Sequence, residues 1–337
     1  KAYTGAKHAF AVSNATVALH MACLALGLGT GDEVIVPSLT FVATANAVRY
    51  TGATPVFVDI NSANDLTISL ESVQRARTPR TKAVMVMHYA GYACDMPAIL
   101  DWAAGQELPV IEDAAHAVGT SLNKKHMGTW GTVGCFSFFS NKNLSTGEGG
   151  MIITDDDALA AEFKLLRSHG MTTLTWDRHQ GHAWSYDVVT TGYNYRIDEI
   201  RAALGRVQLA KLDAHNERRR VLSTLYRDLF AELCSRVHLP FENHPGVSAH
   251  HILPMLLPRG ADRLEFMEHM KENGIQTSIH YPPIHTFSAY KGAVVGGGGL
   301  ALTDEIAARE VTLPLYPTMT DEQVHFVALT AAKALEH

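Results

Sequence analysis

Residues Cys135 to Thr154 read Cys-Phe-Ser-Phe-Phe-Ser-Asn-Lys-Asn-Leu-Ser-Thr-Gly-Glu-Gly-Gly-Met-Ile-Ile-Thr. An aromatic-rich strand candidate gives way to a polar turn and a glycine-rich segment, and a second apolar strand follows, with one lysine, Lys142, in the turn. Most loop lysines are solvated surface groups, and Lys142 by itself reads that way. Its context changes the reading. Upstream, Val110-Ile111-Glu112-Asp113-Ala114-Ala115-His116 starts as an apolar strand and ends in acid. Open α/β folds bind their ligands at the C-terminal edge of a parallel sheet. A Schiff-base lysine paired with a carboxylate that keeps a pyridine nitrogen protonated is what pyridoxal phosphate (PLP) chemistry requires. A buried Asp113 favours the cationic ring through Coulomb attraction at low dielectric.

A third segment suits the phosphate. Ser13-Asn14-Ala15-Thr16 precedes Val17 to Gly27, in which Leu19, Cys23 and Leu26 recur at helical spacing. The polar residues therefore fall at a helix N-terminus, where free N–H groups and the positive dipole end attract an anion. Taken alone, the same residues also read as a plain N-cap.

Together these segments resemble the DegT/DnrJ/StrS-type nucleotide-sugar aminotransferases, a family of fold type I PLP enzymes. The likeness runs over nearly the whole chain. Its further landmarks are Gly31-Asp32-Glu33-Val34-Ile35-Val36-Pro37-Ser38, Gly147-Glu148-Gly149-Gly150 and Gly192-Tyr193-Asn194-Tyr195-Arg196. The resemblance implies that Lys142 is the imine lysine, Asp113 the pyridinium partner and His116 a hydrogen-bond donor to the ring's phenolate oxygen. It further implies that Phe41 stacks on one ring face, that Ala115 lies on the other, and that Ala15, Thr16 and Ser137 hold the phosphate. Asn194 resembles an asparagine that reaches the phosphate of the partner subunit, so a homodimer with shared active sites is implied. Read without the family, Phe41 also fits a core position, His116 an interior histidine, Asn194 a turn cap and Ser137 a strand hydroxyl bonded to backbone.

The family usually has glycine where Ala15 stands, so positive φ is not readily available there. Related PLP-dependent sugar dehydratases carry histidine in place of Lys142, which sets this chain on the transaminating branch. The reaction implied moves an amino group from glutamate or glutamine to a keto group of a dTDP-, UDP- or GDP-linked sugar, with PLP cycling through pyridoxamine 5′-phosphate. Two alternatives stand beside it: amination of a non-sugar cyclic ketone such as a cyclitol, and a PLP-binding regulatory protein without turnover. On the substrate side, His280-Tyr281-Pro282-Pro283-Ile284-His285 resembles the family's sugar loop, which nominates His280, Tyr281 and His285. Arg196 is a candidate for the donor carboxylate.

Composition narrows the class without choosing the chemistry. The chain has 337 residues, 47% hydrophobic and 18% charged, with 26 glycines and a net charge of −6. Those values fit a globular α/β protein and exclude disordered and fibrous classes. No basic stripe suggests nucleic acid, and no apolar run nears the ~20 residues that cross a bilayer. Cys23, Cys94, Cys135 and Cys234 form no CxxC pair, and Cys23 and Cys135 sit in apolar runs, which fits a reduced, cytoplasmic setting. The 18 histidines include His179-Gln180-Gly181-His182 and His250-His251, but none stands at zinc-ligand spacing, and no metal is expected. Lys1-Ala2-Tyr3-Thr4-Gly5 resembles the middle of the family's first helix, which implies a missing N-terminal segment, and Leu335-Glu336-His337 reads as the stub of a purification tag.

Strand candidates at Val34–Val36, Val56–Val58, Ala83–Met87, Val110–Ile111, Cys135–Phe138 and Met151–Ile153 alternate with amphipathic segments. That order predicts a mostly parallel sheet with helices on both faces. Ile197 to Phe230 reads as helical, with Arg218-Arg219-Arg220 on a solvated face. Strands and a helix are expected in Val237–Pro240, His251–Leu257, Ala261–Asn273 and Ile275–Ile279. The expected organisation is a large PLP-binding α/β domain over residues 1–225 and a small C-terminal α+β domain over 226–337. Gly296 to Gly299 reads as a flexible loop.

Overall fold

The computed structural model describes residues 1–172 and 185–335. The His179–His182 cluster and the last two residues lie outside them. The strands are β1 (His8–Val12), β2 (Glu33–Pro37), β3 (Thr54–Val58), β4 (Thr81–Met87), β5 (Val110–Asp113), β6 (Ser121–Leu122), β7 (Lys125–His126), β8 (Val133–Ser137), β9 (Gly150–Thr154), β10 (Leu253–Leu256), β11 (Val294–Val295) and β12 (Glu310–Leu313). Eight of them form one sheet in the order β1-β9-β8-β5-β4-β2-β3-β11. The pairs from β8 through β11 are parallel, and β9 runs antiparallel to both β8 and β1. This is the mostly parallel sheet that the order of strand candidates predicted.

The central strands β2, β3, β4, β5 and β8 are largely apolar and buried on both faces, whereas the edge strands β1 and β11 are partly or wholly exposed. Successive residues divide between two cores. Val34, Val36, Met85, Ile111, Cys135 and Ile152 pack toward the helices Ala15–Ala25, Ala43–Tyr50 and Asp157–Leu166. Ile35, Val84, Val86, Val110, Phe136 and Ile153 pack toward the helices Leu70–Ala76 and Met96–Gly105.

All six strand segments read from the first half of the sequence are present. Two further members of the sheet, β1 and β11, carry weaker signals. β11 immediately precedes the glycine run Gly296 to Gly299 and pairs with β3, tying the C-terminal part of the chain to the sheet edge. Asp59 strengthens that tie, because its carboxylate accepts from the backbone N–H groups of Leu302 and Thr303 at the start of the helix Ala301–Arg309.

The helical stretch beyond Ile197 is two helices, Glu199–Leu209 and Leu212–Leu233. The residue expected to divide the domains, 225, falls inside the second. Beyond it β10 pairs with β12, while Val237–Pro240 and Ile275–Ile279 contribute only the isolated bridges His238↔Leu256 and Ser278↔Thr312. The helices Arg263–Glu272, Ala301–Arg309 and Asp321–Lys333 complete this part. A separate core containing Leu222, Tyr226, Leu253, Met255, Val311 and Val324 holds it together.

The arginine triplet corrects the sequence reading. Arg219 is only 7% exposed, and its guanidinium donates to the backbone carbonyls of His251 and Leu315. A buried guanidinium needs such acceptors. Burial lowers its pKa from the ordinary value to about 10.

Candidate active site

The carboxyl ends of β4, β5 and β8 meet the N-terminus of the helix Ala15–Ala25 around one cavity of about 470 Å³. Its lining includes Ala15, Thr16, Phe41, Asp113, Ala115, His116, Ser137, Lys142, His280 and Tyr281. A second, more apolar cavity of about 310 Å³ lies elsewhere, against Tyr3, Phe136 and the helix Glu199–Leu209, and holds none of these groups.

Asn14 begins the helix: its side chain accepts from the N–H of Val17 at 3.0 Å. Ala15 and Thr16 form the first turn, whose N–H groups have no acceptor within the helix. Ala15 is helical and does not need the positive φ that glycine would supply. Glycine is required opposite, at Gly150, where a Cβ would stand 2.6 Å from the carbonyl carbon of Asn14 and 2.9 Å from the nitrogen of Ala15. The glycine-rich turn thus lets β9 press against the helix start. Ser137, the last residue of β8, lines the cavity while its hydroxyl accepts from the N–H of Phe139 at 3.3 Å.

Asp113 ends β5 and is buried. One carboxylate oxygen accepts from the Thr44 hydroxyl at 2.8 Å and the other from the N–H of Ala115 at 3.1 Å. Burial raises its pKa, opposed by these two bonds and by the charge of Lys142. Glu112, one residue earlier on the strand, faces the opposite side. It accepts from the N–H groups of Gly128 and Gly131, both at 2.6 Å, and from His88 Nε2 at 2.9 Å. Because His88 Nδ1 accepts from the N–H of Cys94, its proton lies on Nε2, and the strand end that carries Asp113 is fixed from behind.

Lys142 follows β8 in a turn closed by its own N–H to the carbonyl of Phe139 at 2.9 Å. Burial lowers its amine to about 8, with Asp113 opposing the shift. His116 is buried and neutral: burial, then the Lys142 charge, hold its pKa well below the ordinary value. Its Nε2 lies 2.8 Å from the Tyr281 hydroxyl, while its Nδ1 is buried without a partner. Phe41 is 53% exposed, which separates it from the core, and its ring centroid is 5.8 Å from that of Tyr281.

These features fit pyridoxal phosphate. An orphaned histidine nitrogen offers a hydrogen bond to a ring oxygen, a buried carboxylate with no salt-bridge partner suits a ring N–H, and a helix start suits a phosphate. Among the described residues no cluster of three or more His, Cys, Asp or Glu could hold a metal.

Three of the expected residues lie outside this cavity. Asn194 and Arg196 form isolated bridges with Ser168 and Val12. His285 hydrogen-bonds to the Ser38 hydroxyl at 2.8 Å and approaches Asp304 at 3.2 Å. Conversely, Thr44, His88, Glu112, His251 and Glu310 take part in or brace the site without having been singled out. Glu112 stood inside the motif, and His251 directly before an apolar strand.

The family model for DegT/DnrJ/EryC1/StrS aminotransferases matches residues 1–331. The chain belongs to that family. It is a PLP-dependent aminotransferase. Among similar proteins, the spore coat polysaccharide biosynthesis protein SpsC of Bacillus subtilis is 41% identical over 333 residues, covering 96% of this chain and 84% of SpsC. The PLP form of the putative sugar aminotransferase Spr1654 from Streptococcus pneumoniae superposes with a TM-score of 0.86 at 28% identity, covering 99% of this chain and 88% of that one. DesI, crystallised in the presence of its TDP-sugar product, gives 0.88 at 31% identity, covering 99% and 82%.

Proposed function

We propose that the protein transfers an amino group from glutamate or glutamine to a keto group on a nucleotide-linked sugar, as a cytoplasmic homodimer. The observation that carries this reading is the convergence of Lys142, Asp113 and His116 with a helix N-terminus in one cavity. The SpsC and DesI relatives support a sugar as the acceptor, and the TDP-sugar product of DesI supports a nucleotide carrier.

When bound, PLP supplies an electron sink for negative charge that develops on the substrate carbon. The chain's own residues do the rest. Asp113 would hold the ring nitrogen's proton, His116 Nδ1 would meet the ring oxygen, and Ala15, Thr16 and Ser137 would hold the phosphate. Phe41 and Ala115 would cover the ring. Lys142 would anchor the cofactor. Once displaced, its amine, with a pKa of about 8, gives and takes the proton at the substrate carbon near neutral pH. His280 and Tyr281 present polar groups to the sugar.

Asn194 is assigned to the partner's phosphate, in keeping with its position outside this protomer's cavity. The helix Glu199–Leu209 buries none of its residues and exposes Ile200, Leu204 and Val207, which supports a covering subunit. A division near residue 225 into a PLP-binding part and a smaller part is proposed on the separate core around Tyr226.

The test is a pair of half-reactions on the PLP-loaded protein. L-Glutamate or L-glutamine should convert the visible absorption band to a shorter-wavelength band with release of the 2-oxo acid. A nucleotide-linked keto sugar should restore the original band and appear as an amino sugar. Failure of every amino donor to bleach the band rejects the aminotransferase reading for this chain.

A further inference from the structure

His251 is buried beside Lys142 and precedes β10 by two residues. Its tautomer is fixed by a chain of amides that leaves no choice. Asn216 donates its side-chain N–H to the backbone carbonyl of Val118 at 3.0 Å, so its oxygen faces Asn143. Asn143 then directs its NH2 group at that oxygen and at the carbonyl of Ala249, both at 2.7 Å. The Asn143 oxygen is left for His251 Nδ1 at 2.8 Å, and an amide oxygen only accepts. His251 Nδ1 therefore carries the proton. Burial and the neighbouring Lys142, Arg219 and His280 charges hold the ring neutral, so Nε2 presents a lone pair. That lone pair lies 3.4 Å from Lys142 Nζ, at the long end of the hydrogen-bond range.

We propose that His251 is a positioning residue for Lys142: its unprotonated Nε2 accepts a hydrogen bond from the lysine and holds Nζ in place whenever the lysine is not joined to the cofactor. This rests on Lys142 being the cofactor lysine. The backbone around the ring is built to hold it there. The N–H of His251 donates to the carbonyl of Ala90 at 2.9 Å, and its carbonyl accepts from Arg219 at 3.1 Å. Ala90 (φ 57°) and the adjoining His250 (φ 45°) both take left-handed backbone conformations, which non-glycine residues hold only where the surroundings enforce them. Gly91 permits the close approach of His116 to His251, since a Cβ there would stand 2.9 Å from the His116 carbonyl and 3.1 Å from the His251 nitrogen. The groups that face Lys142 are Asp113 from the end of β5, His116 from the turn after it, His280 from the sugar-side loop, and His251. Asp113 supplies the only negative charge among them, and it is already engaged by Thr44 and Ala115.

The experiment measures the pH dependence of amine labelling at Lys142 in the cofactor-free full-length protein, read on the peptide that carries it. Loss of the acceptor disfavours the ammonium form, so His251→Met should lower the midpoint by about one pH unit, roughly tenfold in the amine-to-ammonium ratio. Asn143→Ala, which frees the ring to take the Nε2–H form, should shift it in the same direction. His251→Gln, whose amide oxygen also accepts, should retain most of the unmodified midpoint. Unchanged midpoints in His251→Met and Asn143→Ala overturn the proposal, as does a His251→Gln midpoint displaced as far as that of His251→Met. If the variants do not fold, nitrogen NMR of the histidine rings in the unmodified protein decides: the Nδ1–H form of His251 is expected, and the Nε2–H form overturns the proposal. Borohydride trapping of the cofactor on a residue other than Lys142 would remove the functional reading while leaving the labelling result intact.

Discussion

The hydroxyl of Tyr281 lies 2.8 Å from Nε2 of His116, joining the loop that follows Ser278 to the turn that follows β5. Burial raises the Tyr281 phenol well above its ordinary value, with Asp113 and then Glu310 adding to the shift, so it remains a neutral donor. Tyr281→Phe leaves His116 Nε2 without that partner, at a cost of ~1 kcal/mol for a neutral hydrogen bond. The expected result is a drop of about five- to tenfold in turnover with the keto substrate, with PLP still bound. Steady-state kinetics and cofactor titration check it, and loss of PLP binding in this variant would count against the assignment.

Lys142→Ala should abolish the covalent link that borohydride traps between PLP and the protein, while the cofactor is still retained through the helix start and Ser137. Mass spectrometry of the reduced, digested protein identifies the linked peptide.

Asp113→Asn keeps an oxygen for the N–H of Ala115 and turns an NH2 group toward the Thr44 hydroxyl, which can accept, while it removes the negative charge proposed to face the ring nitrogen. Breaking a buried charge pair costs about 3 kcal/mol, so both half-reactions should slow by about a hundredfold, with little change in melting temperature. Stopped-flow absorbance on each half separates the rates. Equal rates in variant and parent would detach Asp113 from the chemistry.

Glu310 gives a pH signature. It is fully buried at the start of β12 and accepts from the N–H of His280 at 2.8 Å and from the Thr312 hydroxyl at 2.5 Å. Burial raises its carboxyl from 4.5 to about 8. The folded protein thus keeps a proton that the unfolded chain has released. This contribution to stability is full below about pH 4.5 and is lost as pH rises through about 8. Glu310→Gln imitates the protonated form. Urea denaturation at pH 5 and pH 8 should show a smaller fall for the variant than for the parent, by on the order of a few kcal/mol. The same fall in both would show that Glu310 titrates normally.

If Asn194 serves the partner's site, mixing Asn194→Ala subunits with Lys142→Ala subunits should restore activity to a fraction of the dimers. One of the two sites in each mixed dimer then has both groups intact. Activity no higher than in the two separate variants contradicts a shared site.

The sheet was legible in the sequence because β2, β3, β4, β5, β8 and β9 are short apolar runs buried on both faces, and such runs separated by amphipathic segments admit few other arrangements. The cavity residues before and after those strands were legible for a related reason: ligands gather where parallel strands end. Lys142, Asp113 and the Ala15–Thr16 turn could therefore be named before their positions were known, and His116 was named through the family resemblance. The sequence did not reveal that Arg219 is buried, because three consecutive arginines look alike in one dimension and only packing against His251 and Leu315 distinguishes the middle one. Nor did it separate His251 from seventeen other histidines. Its role depends on the amide chain Val118, Asn216 and Asn143, whose members lie as much as 98 residues apart in sequence. Local pattern fixes which face of an element is apolar and which turn is polar. Which buried polar atom meets which partner is decided only when distant segments close on one another, since each such atom must find its hydrogen bond within the fold or remain costly.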